Sequence, residues 1–392
     1  MITSATIYDI YRTCLSAMCK ASKPRQSADP FPHFESLREI SFGKSHIGRD
    51  IPALQLGEGG GHRILYVGGV TGGMYSAALL IRFARDYAEA VQSGGQIAGI
   101  DISYLYHTRT ITVVPLLNPD GAVLRVHGTD AHNPLLERLL AYTGTPNDGG
   151  RHTQPENPFS GWVTNGRGVD LRCNCDADFD LCIQNASGIG RAGYPGMHPE
   201  SEPECAAVCR YLRACATTDL TLFLGDEDAD SAFGCITYPG GEHRTMSIAQ
   251  ILARDIDAKS CITGISEAPG SFARWYKTLC AGPMLTVQGP GGVTLPLLEE
   301  EADRDGDAHL KLAQALLFSA AGIEDPNTIL CMQDIAGAVP SFGAAADAAQ
   351  EKIASEAPSS EKEKQPGMTL AKAEFALRYG KIRKALFHGT VL

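Results

Sequence analysis

Short strand-like runs alternate with amphipathic helical segments through much of this chain. The run at residues 63–67 ends at two glycines, and residues 76–91 after it carry apolar side chains at helical spacing. Further strand-like runs lie at residues 111–116, 220–224 and 283–287. Strands that alternate with helices are typical of one α/β sheet covered by helices on both faces. We therefore expect an α/β fold.

Composition divides the 392 residues into four predicted segments. Residues 1–35 form a helical segment with a polar exit, and residues 36–325 form the α/β domain. Residues 326–368 are rich in Ala, Glu, Lys and Ser and poor in large apolar side chains, which predicts a flexible linker. Residues 369–392 regain helical spacing and carry several Lys and Arg, so we predict a basic C-terminal helix.

Charge and cysteine content restrict the environment and the partners. The net charge of −11 disfavours nucleic acid, since duplex affinity comes largely from Lys and Arg on phosphates. No run reaches the roughly 20 apolar residues that a transmembrane helix needs. The N-terminus lacks a basic start followed by an apolar block, so we recognise no signal peptide. Twelve cysteines without Cys-x-x-Cys pairs favour reduced thiols and a cytoplasmic location.

Six short motifs follow one another in a fixed order along the chain. They combine glycines, prolines and polar residues at predicted turns, and they are Gly43-x-Ser45-x-x-Gly48-Arg49-x-Ile51, Gly68-Gly69-Val70, Asn118-Pro119-Asp120-Gly121, Asn165-x-x-Gly168-Val169-Asp170-Leu171, Ser201-Glu202-Pro203-Glu204, and Ala268-Pro269-Gly270-Ser271-Phe272 with Trp275. In this order they resemble the zinc carboxypeptidase family, and most of all its bacterial branch that cleaves γ-D-glutamyl-diamino acid bonds. The resemblance spans roughly residues 40–320. It implies one carboxypeptidase-like domain with a mixed, mostly parallel sheet and helices on both faces.

The resemblance also implies where a zinc site would lie. In this family a His-x-x-Glu pair and a later His hold the ion at the carboxyl edge of the sheet. In this sequence the pair's positions hold Thr71 and Met74, and the later position holds Gly225. A catalytic zinc ion needs about three protein ligands and an open position for water. We therefore predict that no zinc is bound at these positions.

The positions that would carry the rest of the chemistry differ as well. Where the family has a general-base Glu, this chain has Gln288, a neutral amide that cannot accept a proton. Where the family has Asn-Arg to bind substrate, this chain has Arg172 and Cys173. We predict no catalytic residue. We expect the former active-site cleft to be lined by six residues. They are Arg172, Cys173 and Gln288, together with Thr71, Met74 and Gly225 at the ligand positions.

Two acidic segments are candidates for a substitute metal site. Asp176 and Asp178 follow one of the motifs, and Asp226 and Asp228 follow the strand-like run at 220–224. Carboxylate oxygens alone would suit Ca²⁺ or Mg²⁺ rather than zinc. Because charge runs are more often solvated loops, we predict no metal and no other cofactor.

These departures favour a family member that has lost peptidase activity. We predict that its former active-site cleft binds a peptide or a protein partner. The alternative is a metallocarboxypeptidase-type hydrolase of peptide or cell-wall peptide bonds with a non-standard metal site, in which case zinc is expected. A third interpretation uses Cys173 or Cys175 as a nucleophile or as a metal ligand, although the sequence places no histidine to activate either thiol.

Overall fold

The computed structural model describes most of the first 289 residues. The described residues are Asp9, Arg12, 34–59, 61–97, 100–143, 157–215, 218–226, 235–239, 243–256, 259–263, 268–279 and 282–289. The predicted linker at 326–368 and the basic helix at 369–392 lie outside them, as does nearly all of the helical segment predicted at 1–35. The segment boundaries therefore stay predictions.

A mixed β-sheet forms the centre of the molecule. The described strands are β1 (Leu37–Lys44), β2 (Asp50–Leu56), β3 (His62–Val67), β4 (Gln96–Ile97), β5 (Ile100–Asp101), β6 (Arg109–Val114), β7 (Leu220–Asp226), β8 (Cys235–Pro239), β9 (Lys259–Thr263) and β10 (Met284–Gly289). Among them, eight form one sheet in the order β1-β2-β6-β3-β7-β10-β8-β9, and β4 pairs with β5. The central strands β6, β3, β7 and β10 are parallel. The sequence prediction of one mixed, mostly parallel sheet is confirmed.

Helices connect the strands of this sheet. The described helices are α1 (Met74–Ser93), α2 (Ile102–Thr108), α3 (Pro119–His127), α4 (Leu136–Thr143), α5 (Phe179–Gln184), α6 (Pro203–Ala214), α7 (His243–Asp255) and α8 (Phe272–Leu279). Short 3₁₀ turns lie at Gly128–Asp130 and Leu171–Cys173. Within the described part of the chain, no helix has both the length and the apolar character that crossing a bilayer requires.

Hydrophobic clusters cover both faces of the sheet, because successive side chains of a strand point to opposite faces. In β3, Ile64 and Tyr66 belong to one cluster, whereas Leu65 and Val67 belong to the other. Helices α1 and α7 contribute to the first cluster, where the ring of Phe83 meets Tyr66 edge-on with centroids 5.8 Å apart. Helices α6 and α8 contribute to the second cluster. The predicted covering of both faces is confirmed.

The turn between β1 and β2 is held against two motifs that are far away in sequence. Ser45 Oγ donates to Asp120 Oδ1 at 2.8 Å, and Arg49 Nη1 donates to the same oxygen at 2.7 Å. The backbone N–H of His46 donates to Glu204 Oε1 at 3.0 Å. Both carboxylates are buried, and these contacts replace the water that burial removes.

A third buried carboxylate extends this arrangement to another motif. Asn165 Nδ2 donates to Glu202 Oε2 at 2.8 Å, and Ser201 Oγ donates to Glu202 Oε1 at 2.8 Å. We call Asp120, Glu202 and Glu204 the buried carboxylate network. It joins four of the six sequence motifs, so these motifs fix the relative positions of the hairpin, α3 and α6.

Candidate functional site

Three of the predicted site residues lie at the carboxyl edge of the central strands. Parallel pairing of β10 with β7 makes Gln288 the Cα partner of Gly225. Strand β3 lies parallel to β7 on its other side, and Thr71 follows the last residue of β3, Val67, by four positions. Ligands of α/β sheets bind at this edge. We call Thr71, Gly225 and Gln288 the carboxyl-edge site.

The loop that carries Thr71 is fixed from two sides. Asn118 caps α3 and also donates from Nδ2 to the carbonyl oxygen of Val70 at 3.2 Å. Gly72 has φ +77°, and a Cβ there would lie 2.7 Å from the backbone nitrogen of Ala122. Only a glycine combines this left-handed backbone with so close an approach to α3. The position of Thr71 is therefore set by the turn after β6 and by the start of α3.

The side chains at this edge offer few ligands for a metal ion. Thr71 is 4% exposed, and its Oγ1 has no hydrogen-bond partner among the described residues. Met74 is buried in the hydrophobic cluster at the start of α1. Gly225 has no side chain, and Gln288 presents a half-buried neutral amide. Zinc sites in proteins use Cys, His, Asp or Glu, so this set does not fit the zinc ion that the family resemblance implies.

Arg172 and Cys173 lie on the 3₁₀ turn that follows Asp170. Arg172 Nε and Nη2 both donate to the buried carboxylate of Asp170, at 3.0 and 2.9 Å. A substrate carboxylate would have to displace Asp170 to bind these two atoms. Cys173 Sγ donates to the carbonyl oxygen of Asp170 at 3.3 Å, and burial raises the pKa of this thiol well above its usual range. A thiol held protonated in this way is a poor nucleophile.

The acidic candidates for a substitute metal site are dispersed where the structure describes them. Asp176 and Asp178 are exposed, and Asp178 forms an ion pair with Arg274. Asp226 belongs to the end of β7, and Asp228 lies outside the described residues. These carboxylates form no convergent set of three donors in the part of the chain that is described.

Three buried cysteines do converge, and sequence reasoning found only one of them. Sγ of Cys175 lies 3.4 Å from Sγ of Cys205 and 4.0 Å from Sγ of Cys209. Hydrogen bonds from the other two thiols lower the pKa of Cys209 to about 6, whereas burial raises the pKa of Cys175 and Cys205. The available signal was the spacing of Cys205 and Cys209, since residues four apart share one face of a helix. We call these three residues the cysteine cluster.

Comparison with known proteins places the whole domain in context. The sequence profile of zinc carboxypeptidases (Peptidase_M14) matches residues 28–263. Gamma-D-glutamyl-L-diamino acid endopeptidase 1 of Lysinibacillus sphaericus is 26% identical over 289 residues, which cover 72% of this chain and 67% of that protein.

Solved structures show the same fold at lower identity. Bovine thrombin-activatable fibrinolysis inhibitor in complex with tick carboxypeptidase inhibitor is 16% identical, with a TM-score of 0.51, over 74% of this chain and 90% of that chain. Another structure of thrombin-activatable fibrinolysis inhibitor gives 17% identity and a TM-score of 0.53, over 81% of this chain and 82% of that chain. The family profile covers more than half of the sequence, and the sheet and motif contacts agree with it. The chain therefore belongs to the zinc carboxypeptidase family.

Proposed function

We propose that this chain is a non-catalytic member of its family that binds a peptide or a protein partner at the carboxyl-edge site. The observation that carries the proposal is the chemistry of that edge. It combines a hydroxyl, a glycine and a neutral amide where the family resemblance implies two zinc ligands and a general base. The residues at the edge can bind polar groups but cannot hold zinc.

The proposed loss of activity follows from how amide hydrolysis works on such a scaffold. The reaction needs a metal-activated water, a base that deprotonates it and a positive group near the developing oxyanion. Gln288 cannot serve as the base, and Cys173 stands where the resemblance implies an Arg. Catalytic groups that act as a unit are strongly non-additive, so their combined absence removes turnover rather than slowing it.

Two features of the edge support binding of a peptide. The buried Thr71 Oγ1 lacks a hydrogen-bond partner among the described residues, and an unsatisfied buried polar atom costs free energy that a ligand can recover. Gln288 can donate and accept at once, as a peptide amide requires. Among the described residues, a Cβ at Gly225 would meet nothing closer than the Val287 carbonyl oxygen at 3.6 Å, so this part of the chain leaves space beside the amide.

Calorimetric titration with peptides, combined with a cleavage assay on the same samples, tests the proposal. A γ-D-glutamyl-diamino acid peptide is the first probe because a relative of this chain carries that activity in its name. Binding without cleavage is expected, and Thr71→Val and Gln288→Leu should weaken it. Gln184→Leu, at an exposed position on α5, is the matched control and should bind as the unmodified protein does.

The second candidate function is a hydrolase with a non-standard metal site. Cleavage of the same peptide that is abolished by a chelator would establish this function and would contradict the first. A cytoplasmic location and the absence of a nucleic-acid partner remain predictions from composition.

A further inference from the structure

The cysteine cluster is built from two separate parts of the chain. Cys205 and Cys209 are one helical turn apart on α6 and face the same core region. Cys175 follows the 3₁₀ turn, and its backbone N–H donates to the carbonyl oxygen of Gly270 at 2.8 Å. All three sulfurs lie within 4.8 Å of one another, and all three residues are completely buried.

The three thiols make contacts that differ from those of neighbouring cysteines. Cys173 and Cys182 donate to main-chain carbonyl oxygens, of Asp170 and Pro269 respectively. The thiols of the cysteine cluster instead hydrogen-bond to one another. Their separations of 3.4 and 4.0 Å are far longer than the roughly 2.05 Å of a disulfide. The cluster is therefore a set of three free thiols whose sulfurs lie close to one another.

The spacing of the sulfurs matches that of thiolates around one ion. Metal–sulfur bonds of about 2.3 Å place the sulfurs of a tetrahedral site about 3.8 Å apart and those of a trigonal site about 4.0 Å apart. The separations of 3.4 and 4.0 Å from Cys175 lie close to these values, and the third pair of sulfurs lies within 4.8 Å, so a metal ion would need only small movements of the side chains. Soft thiolate ligands select Cu(I) and Zn(II) among biological cations.

The number of donors favours one of these two ions. The convergent group holds three cysteines and no fourth donor among the described residues. Structural zinc is almost always four-coordinate, whereas three thiolates are sufficient for Cu(I). Arg213 lies one turn beyond Cys209 on α6.

The surroundings of the cluster indicate a closed site. Arg213 stacks over the ring of Trp275 at 4.9 Å and pairs with Glu200. Asn174, next to Cys175, donates to the carbonyl oxygen of Pro195 at 2.7 Å and so fixes the segment that precedes α6. Structural metal sites are closed in this way, whereas catalytic sites keep an open position.

We propose that Cys175, Cys205 and Cys209 bind a thiophilic metal ion, Cu(I), in a closed structural site. The ion would connect the segment after the 3₁₀ turn to α6. Binding exchanges thiol protons for the metal ion and changes no oxidation state. The inference does not depend on the proposed function, because the carboxyl-edge site contributes no ligand to it.

The test is a titration of the reduced, full-length protein with Cu(I) against a chromogenic Cu(I) chelator under anaerobic conditions. The unmodified protein should withhold one equivalent from the chelator and unfold at a higher temperature when loaded. Cys175→Ser, Cys205→Ser and Cys209→Ser should each lose that equivalent. Cys215→Ser is the matched control on the same segment, and it should retain the ion because Cys215 lies outside the cluster.

X-ray absorption at the copper edge gives a second measurement that does not depend on the folding of the variants. Three sulfur neighbours are expected, and a shell of nitrogen or oxygen would overturn the proposal. Repeating the titration with Zn(II) distinguishes the ion: zinc held through the same three cysteines would support the site with zinc as its occupant. Failure to withhold either ion, or equal retention by Cys205→Ser and the unmodified protein, would contradict the site.

Discussion

Gln288 and Gly225 lie side by side as Cα partners in the parallel pairing of β10 with β7. The first presents a neutral amide, and beside the second the described residues leave space where a side chain would begin. A metal-dependent hydrolase needs a charged base close to its ion, and this pair supplies neither a base nor a ligand.

Gln288→Glu alone should give no amide hydrolysis. A carboxylate at this position can accept a proton, but without an adjacent ion the pKa of the attacking water stays far above neutrality. Hydrolysis of a γ-D-glutamyl-diamino acid peptide by this variant, with and without added zinc, is the measurement. Turnover that appears with zinc would show that a metal site exists at the edge despite its side chains.

A zinc site should form when the ligands implied by the family resemblance are supplied together, in Thr71→His, Met74→Glu and Gly225→His. The described residues leave space at Gly225 for the new ring, Thr71 lies on the fixed loop after β3, and Met74 is the first residue of α1. Zinc per chain after dialysis should rise by one equivalent relative to the unmodified protein.

This experiment is best done with Cys205→Ser in the background, so that the cysteine cluster holds no zinc. The variant that lacks only Gly225→His is the matched control and should retain less metal, since two protein ligands do not complete a catalytic-type site. Equal metal in both would mean that Gly225 is not the third ligand position.

Asp120→Ala should destabilise the fold by about 3–5 kcal/mol, because it leaves Arg49 without its buried partner and removes the acceptor of Ser45. Asp50→Ala removes the exposed ion pair with Lys44 and should cost less than about 1 kcal/mol. Urea unfolding of both variants measures the difference. Similar losses would mean that the buried carboxylate network is not a major source of stability.

The sequence predicted the sheet well because strand and helix periodicity is local. The runs that became β3, β6, β7 and β10 were recognisable from a few consecutive residues each. Motif order then supplied the family and placed Thr71, Gly225 and Gln288 near one edge.

Contacts between distant residues were not predictable in the same way. Cys175 meets Cys205 across 30 residues, and the spacing within α6 gives no sign of the third thiol. Arg172 stands where the family resemblance implies a substrate-binding residue, but its guanidinium donates to Asp170, only two residues away. That pairing depends on the side-chain directions of the 3₁₀ turn, which composition does not encode.

Glu204 should make the protein less stable as the pH rises. Burial raises the pKa of this carboxyl from 4.5 to about 8, and the neighbouring Asp120 and Glu202 add to the rise. The folded state therefore holds the proton more tightly than the unfolded state. The resulting stability is fully present below pH 4.5 and is lost as the pH increases towards 8, with a slope of up to about 1.4 kcal/mol per pH unit.

Glu204→Gln should remove this slope, because the amide keeps an acceptor for His46 but carries no titrating proton. Its stability relative to the unmodified protein should increase as the pH increases between 4.5 and about 8. Urea unfolding at several pH values is the measurement. Glu137→Gln, at an exposed position on α4, is the matched control for replacing a carboxyl group by an amide.

The contacts among the hairpin turn, α3 and α6 maintain the fold of the family, whereas the family's reaction depends on other residues. Asp120, Glu202 and Glu204 anchor motifs that identify the chain as a member of the zinc carboxypeptidase family, yet they lie in the interior and are not among the residues placed at the carboxyl edge. A sequence that keeps these anchors keeps the architecture, whatever side chains stand at the edge. The fold and the catalytic activity can therefore evolve independently. Homology inferred from buried residues does not show whether a protein with this fold hydrolyses peptides.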